Sequence, residues 1–268
     1  MKNKELLIIK LGGSVITDKN RAFTPRYENI ERLTQEIKTS LKTFKGDLIV
    51  VHGSGSFGHT LALKYQTQKG IVNKDSKAGF SKVADTAIAI NRIVMKEFIK
   101  IGIKAVSFAP LSFILSEKGG VKSLFLEPIK KALELGFVPV LYGDVVFDTS
   151  GRGFCIFSGE KIITALLDKL ESDYKNVRVV YCADTDGVYD SQGKTVPIID
   201  SKIFTKLSKT VNKSDFPDVT GGMLHKVKES LKMVKERKIE CYIINGERKN
   251  GLRNAITGLG FSGTKIVK

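Results

Sequence analysis

A rhythm constrains this chain more than any other feature: a short apolar run, a glycine turn, then a stretch with helical spacing, repeated from end to end. Residues 6–10 run into Gly12-Gly13, residues 48–51 into His52-Gly53, and residues 138–142 into Gly143. Runs apolar on both faces are buried on both faces, and such strands belong to parallel sheets covered by helices on each side. The helical stretches fill the gaps. Tyr27, Ile30, Leu33, Ile37 and Leu41 share one face, as do Val83, Ala87, Ile90, Val94 and Phe98 within residues 82–100. Further helices are expected over 124–135, 161–170 and 220–237, and further strands over 104–108, 177–182, 240–244 and 264–268. One break in the rhythm reads as a β-hairpin: residues 145–148 and 154–157 flank the turn-rich Thr149-Ser150-Gly151-Arg152-Gly153. Residues 66–77, polar and glycine-containing, are the expected mobile lid.

Composition narrows the class. A hydrophobic fraction of 42% over 268 residues fills an ordinary core, and no linker divides it, so one domain spanning 1–268 is expected. A net charge of +16 attracts anions. The lysines are spread along the chain with few interleaved aromatics and no tryptophan, which argues against a nucleic-acid surface. Cys155, Cys182 and Cys241 lie in apolar runs without paired spacing and read as buried thiols, not disulfides or metal ligands. With no secretory signal and no apolar run of membrane-spanning length, a cytoplasmic protein is expected.

The chemistry concentrates in glycine-rich strand-to-helix turns, above all His52-Gly53-Ser54-Gly55-Ser56-Phe57-Gly58-His59. A loop of this kind converges backbone N–H groups on an anion, here beside two histidines. No Walker-type lysine follows any of these turns and no GxGxxG follows the first strand, so neither a P-loop nor a dinucleotide fingerprint is present. Four motifs occur in one order: Lys10-Leu11-Gly12-Gly13-Ser14, the octapeptide, Ala183-Asp184-Thr185-Asp186-Gly187-Val188-Tyr189, and Asp218-Val219-Thr220-Gly221-Gly222-Met223.

Together these motifs resemble the amino acid kinase superfamily, over effectively the whole chain. The octapeptide and residues 12–19 (Gly-Gly-Ser-Val-Ile-Thr-Asp-Lys) are similar to its isopentenyl phosphate kinase family. The resemblance implies a three-layer αβα sandwich with a β-hairpin near the acceptor, an acceptor part over about 1–170 and a nucleotide part over about 171–268. It implies transfer of a phosphoryl group from ATP, with Mg2+, to isopentenyl phosphate in isoprenoid precursor synthesis, by a homodimer. Lys10 matches the lysine that bridges the transferred group, Lys19 reaches the nucleotide phosphates, and Lys226 reaches them from the helix after Gly221-Gly222. His59 matches the histidine on the acceptor phosphate, whereas His52 ends its strand and packs structurally. Gly12, Gly13, Gly53, Ser54, Gly55 and Gly58 are expected to form an N–H cradle, with Gly143 closing over the acceptor. Ala183, Asp184, Gly187, Val188 and Tyr189 are expected along the nucleotide, joined by Asn245 to Glu247. No dedicated protein metal cage is expected.

The sequence departs from the family pattern twice. Ser158-Gly159-Glu160 stands where Ser-Gly-Asp is usual, so the carboxylate that orients the lysines reaches one methylene further. Ala183 stands where threonine is common. For the acceptor tail Phe80, Val83, Ala84, Ile90 and Ile93 are candidates, although ordinary core packing is the better explanation of these positions. Two alternatives stay open: a kinase of another phosphate or phosphonate, such as a phosphonate antibiotic, and a non-catalytic nucleotide- or nucleic-acid-binding regulator. The regulator would bind DNA with steep salt dependence; a kinase would consume ATP only with acceptor present.

Overall fold

The computed structural model describes residues 3–211 and 221–268. The elements in chain order are β1 (Glu5–Leu11), α1 (Gly13–Ile16), α2 (Tyr27–Ser40), β2 (Asp47–His52), α3 (Gly55–Tyr65), α4 (Ser76–Lys100), β3 (Ala105–Phe108), β4 (Ile114–Glu117) and β5 (Gly120–Leu124). They continue with α5 (Glu127–Glu134), β6 (Val138–Tyr142), β7 (Asp144–Phe147), β8 (Phe154–Phe157), α6 (Gly159–Leu170), β9 (Asn176–Ala183) and β10 (Ile198–Ile199). The last are α7 (Ser201–Val211), α8 (Gly221–Glu236), β11 (Ile239–Asn245), α9 (Gly251–Thr257) and β12 (Gly263–Ile266).

Eight strands form one sheet in the order β10-β12-β11-β9-β1-β2-β6-β3, and only the β11–β12 pair is antiparallel. Side chains alternate between two apolar layers. Leu6, Ile8, Ile49 and Val179 face α5, α6 and α8, while Leu7, Ile9, Val50 and Val180 face α1, α2, α4 and α9. This is the expected αβα sandwich. β1 lies between β2 and β9, both parallel to it, so the chain leaves β1 on one side and later returns on the other. At such a switch point the carboxyl ends of the strands open a crevice where ligands bind.

His52 is fully buried and acts as structure. Its Nδ1–H donates to the Gly53 carbonyl (3.0 Å), its Nε2 accepts from the Asn91 amide (3.1 Å), and Asn91 accepts in turn from Ser107 Oγ (2.6 Å). The ring stacks on Tyr142 at 5.6 Å. Only one neutral tautomer satisfies this chain, and burial pushes the imidazole down to about 4. Because the folded value lies below the unfolded one, this stability is complete above about pH 6.5 and is lost as pH falls toward 4. The predicted loss is about 3 kcal/mol. Melting temperatures at pH 7.5 and 4.5 check it, since His52→Gln should show a clearly smaller acid-dependent drop.

Several expectations are corrected. The octapeptide is mostly helix: α3 starts at Gly55, leaving Gly53-Ser54 as the turn. Glycine density suggested a loop, but here the glycines permit close backbone approach. The expected helix over 124–135 is shorter, because residues 120–124 form β5 of a hairpin with β4. Its turn, Lys118-Gly119, has φ of 52° and 79°, a mirror-image turn for which lysine is an unusual first residue. α7 begins where the Asp200 carboxylate caps the Ile203 N–H (2.7 Å), a signal the apolar pattern did not carry. Residues 66–77 do not stand free: Thr67 and Ser76 are buried, and the Ile71 N–H donates to the Arg152 carbonyl at the tip of the β7–β8 hairpin (2.9 Å). The three cysteines are free and buried, as expected. Among the described residues no helix is long and apolar enough to cross a membrane.

Candidate active site

At the carboxyl ends of β1, β2, β6 and β9, beneath the β7–β8 hairpin, lies a cavity of about 760 Å³. Four helices begin on its wall: α1 with Gly13 and Ser14, α3 with Gly55 and Ser56, α6 with Gly159 and Glu160, and α8 with Met223 and Lys226. First-turn N–H groups lack intrahelical acceptors and carry the positive end of the helix dipole, so this wall is anion-seeking before any side chain is counted.

Two glycine turns meet there. A Cβ on Gly13 would lie 2.7 Å from both Gly55 Cα and Gly55 N, and Gly55 has φ of +50°. Thr17 fastens the pair, its Oγ1 donating to the Gly13 carbonyl (2.7 Å) and accepting from the Ser56 N–H (3.0 Å). The motif reading gave Thr17 no role; its position four residues after Gly13 was the only signal. Gly13→Ala is predicted to force the turns apart, costing about 1–3 kcal/mol as overpacking does. Turnover should fall about 100-fold, as expected for roughly 1 Å of misplacement. Melting and steady-state assays on the purified variant check both.

Not every expected cradle donor is available to a ligand. The N–H of Gly12 donates to the Cys182 carbonyl, that of Gly53 to Leu11, that of Gly58 to Ser54 and that of Gly143 to His52. These four residues line the cavity but spend their amides on neighbouring backbone. The first-turn amides of Gly13, Ser14, Gly55 and Gly159 remain.

The cations and acids are interleaved. Lys10, near the end of β1, is buried and donates to Glu160 Oε1 at 2.7 Å. Burial alone would raise the Glu160 carboxyl; the adjacent Lys10 ammonium, aided by Lys226, overrides it and holds the group at about 2. The longer glutamate therefore reaches the lysine that the usual aspartate would serve. Burial, with Lys10 nearby, pushes the half-buried Lys226 down to about 8. Lys19 is exposed and pairs with Asp184; burial opposes ionisation of that carboxyl, but Lys19 brings it below the usual range. His59 lies exposed on α3 at the cavity wall, with no hydrogen bond to any described residue. Ala62, Leu63, Val83 and Ile156 form an apolar side.

Other expected contacts lie elsewhere. Gly187 presses on Thr264 with φ of +107°, the Val188 N–H donates to Thr264 Oγ1, and the Tyr189 hydroxyl accepts from the Asp186 N–H. None of the three lines the cavity, because the chain turns back to meet β12. Ala183, Asp184 and Thr185 do line it. Gly221 and Gly222 open α8, and Asp218, Val219 and Thr220 lie outside the described residues. Of the tail candidates only Val83 faces the cavity. Ile90 and Ile93 pack in the core, Ala84 sits in a small cluster with Val145, and Phe80 stacks on Phe147 and packs at a tilt against Phe154.

A parallel αβα sandwich whose helix N-termini and lysines surround one anion cavity defines a phosphotransferase lacking a P-loop. Known proteins agree. The chain is 34% identical to the isopentenyl phosphate kinase of Methanocaldococcus jannaschii, over 97% of this chain and 98% of that one. X-ray structures of isopentenyl phosphate kinase align with TM-score 0.83 at 31% identity, covering 98% of this chain and all of that one. An isopentenyl phosphate kinase substrate complex aligns with TM-score 0.76 at 28% identity, covering 97% and 99%. The chain belongs to the amino acid kinase family, which its residues 5–245 match, and within it to the isopentenyl phosphate kinases.

Proposed function

We propose that the protein transfers the γ-phosphoryl group of ATP to isopentenyl phosphate, giving isopentenyl diphosphate for isoprenoid synthesis. The observation that carries this reading is the histidine His59 on the same cavity wall as Lys10, Lys19 and Lys226. A phosphate monoester has its second pKa near 6, so the attacking oxygen is already anionic at neutral pH and needs no general base. The task is to hold two polyanions together in line and to stabilise charge on the moving group. In this reading His59 and the first-turn amides of Gly13, Gly55 and Gly159 hold the acceptor phosphate. Lys10, oriented by Glu160, bridges the transferred group, while Lys19 and Lys226 hold the nucleotide phosphates. Ala62, Leu63, Val83 and Ile156 receive the apolar tail.

The nucleotide lies against Ala183, Asp184 and the start of α8 with Gly221 and Gly222, within the part over about 171–268. Gly187, Val188 and Tyr189 shape that wall from behind. Magnesium fits as the counter-ion of the nucleotide, since it takes most of its ligands from phosphate oxygens and water with one or two carboxylates. Asp184 is the carboxylate on that side of the cavity, and the ion neutralises phosphate charge. A cytoplasmic homodimer is the working form we propose. A coupled assay of ATP consumption tests the reading across isopentenyl phosphate, other phosphate monoesters and phosphonates. Turnover with isopentenyl phosphate well above the others supports it. Turnover with a different acceptor and none with isopentenyl phosphate overturns it.

A further inference from the structure

The cavity wall carries a third carboxylate that the proposed chemistry leaves idle. Asp144 follows Gly143 at the start of β7 and is only 4% exposed. Its Oδ1 accepts from the Val145 N–H at 2.7 Å, and its Oδ2 has no hydrogen-bond partner among the described residues. The other two cavity carboxylates each hold a lysine, Glu160 to Lys10 and Asp184 to Lys19; Asp144 forms no ion pair with any described residue. The ionisable groups that share its cavity are Lys10 on β1, Lys19 after α1, His59 on α3, Glu160 on α6, Asp184 after β9 and Lys226 on α8, with Tyr142 on β6 and Arg92 on α4 behind it. None of them is bonded to it.

An ionised carboxylate in this place would face two polyanions with nothing to neutralise it. A protonated one offers an O–H donor to a phosphate oxygen instead, a role that buried carboxylic acids can fill. We propose that Asp144 is a further acceptor-binding residue, carrying its own proton and donating it in a hydrogen bond to the acceptor phosphate. The inference rests on the reading of the cavity as a phosphate-acceptor site. Burial, opposed only by the Val145 N–H, raises the carboxyl to about 7. The proton is thus present below neutrality and is lost as pH rises through that value. The enzyme would favour acceptor binding on the acid side of pH 7, down to the point where the phosphate itself takes a second proton.

The test is the pH profile of kcat/KM for isopentenyl phosphate at saturating MgATP, which reports groups in the enzyme–MgATP complex before the acceptor binds. The wild type should lose activity above pH 7 at about tenfold per pH unit. D144N keeps an N–H donor that does not titrate. It should stay within about threefold of wild type at pH 6, and its alkaline limb should move well above 7. D144A should be lower at pH 6 and should also lose the limb at 7. A direct reading comes from calorimetry of isopentenyl phosphate binding at pH 8 in buffers of different ionisation heat. The wild type should take up about one more proton than D144N, as a group titrating near 7 requires.

Superimposable profiles for wild type and D144N, or equal proton uptake, would overturn the proposal. So would a loss of 100-fold or more in folded D144N at pH 6, which would mean that the ionised carboxylate acts as base or metal ligand. If the wild type does not turn over isopentenyl phosphate, the functional reading fails first, and the two failures are thereby distinguished.

Discussion

Lys10→Met lowers turnover by about three to four orders of magnitude, the range lost when a cation on a transferring phosphoryl group is removed. Lys10 is buried at the end of the central strand, and no other described lysine is bonded to Glu160. The substitution also strands Glu160, whose carboxyl is ionised only because Lys10 and Lys226 outweigh burial. Breaking a buried pair from one side typically costs about 3–5 kcal/mol. Glu160 keeps 19% side-chain exposure, so a figure nearer 2 kcal/mol is expected after allowance for solvent screening. The double variant Lys10→Met/Glu160→Gln separates the two effects: it should recover most of the melting temperature and none of the activity. Retention of more than a tenth of wild-type turnover by the single variant would show that Lys10 does not bridge the transferred group.

His59→Ala has the second largest effect and the opposite signature. The imidazole is exposed and bonded to no described residue, so its removal should leave stability within about 0.5 kcal/mol. The kcat/KM for the acceptor should fall about 100- to 1000-fold, as when one donor to a developing anion is lost. The KM for ATP should stay within a few-fold, because the histidine stands on the α3 wall and not beside Asp184 or α8. His59→Gln, which retains an N–H donor, should recover part of the loss. Unchanged acceptor kinetics in His59→Ala, with altered ATP binding, would move the histidine to the nucleotide and reverse the assignment of the two halves.

Much of this site was legible because the chemistry demanded residue types that the fold alone did not. In a chain this rich in lysine, Lys10 stood out only by its place in the Lys-Leu-Gly-Gly-Ser motif. Gly13 and Gly55 carried a steric demand that any larger residue would violate. His59 was readable only through its neighbours in the motif, since a histidine on an exposed helix has no signature of its own. Residues whose roles rest on distant partners stayed hidden. Thr17 joins two turns that are 39 positions apart at its bond to Ser56. Asp144 is a conspicuous acid only once the lysines have been matched with Glu160 and Asp184. Conversely, Gly187, Val188 and Tyr189 were expected on the nucleotide from their motif, but Gly187 and Val188 meet Thr264, the Tyr189 hydroxyl accepts from the Asp186 N–H, and none of the three lines the cavity.

The sequence alone determined the class of fold and the character of the ligand. Local rules suffice for these: apolar runs must be covered on both faces, helices follow their 3.6-residue period, and lysine with glycine at strand ends selects phosphate. Tertiary structure decided which donors are free. The amides of Gly12, Gly53, Gly58 and Gly143 are consumed by backbone carbonyls, three of them on neighbouring strands, whereas those of Gly13, Ser14, Gly55 and Gly159 at the helix starts are not. It also decided which acids hold a cation. Hydrogen-bond supply and charge pairing are set by which strands become neighbours, and that order, with β1 between β2 and β9, is written in no single segment of the chain.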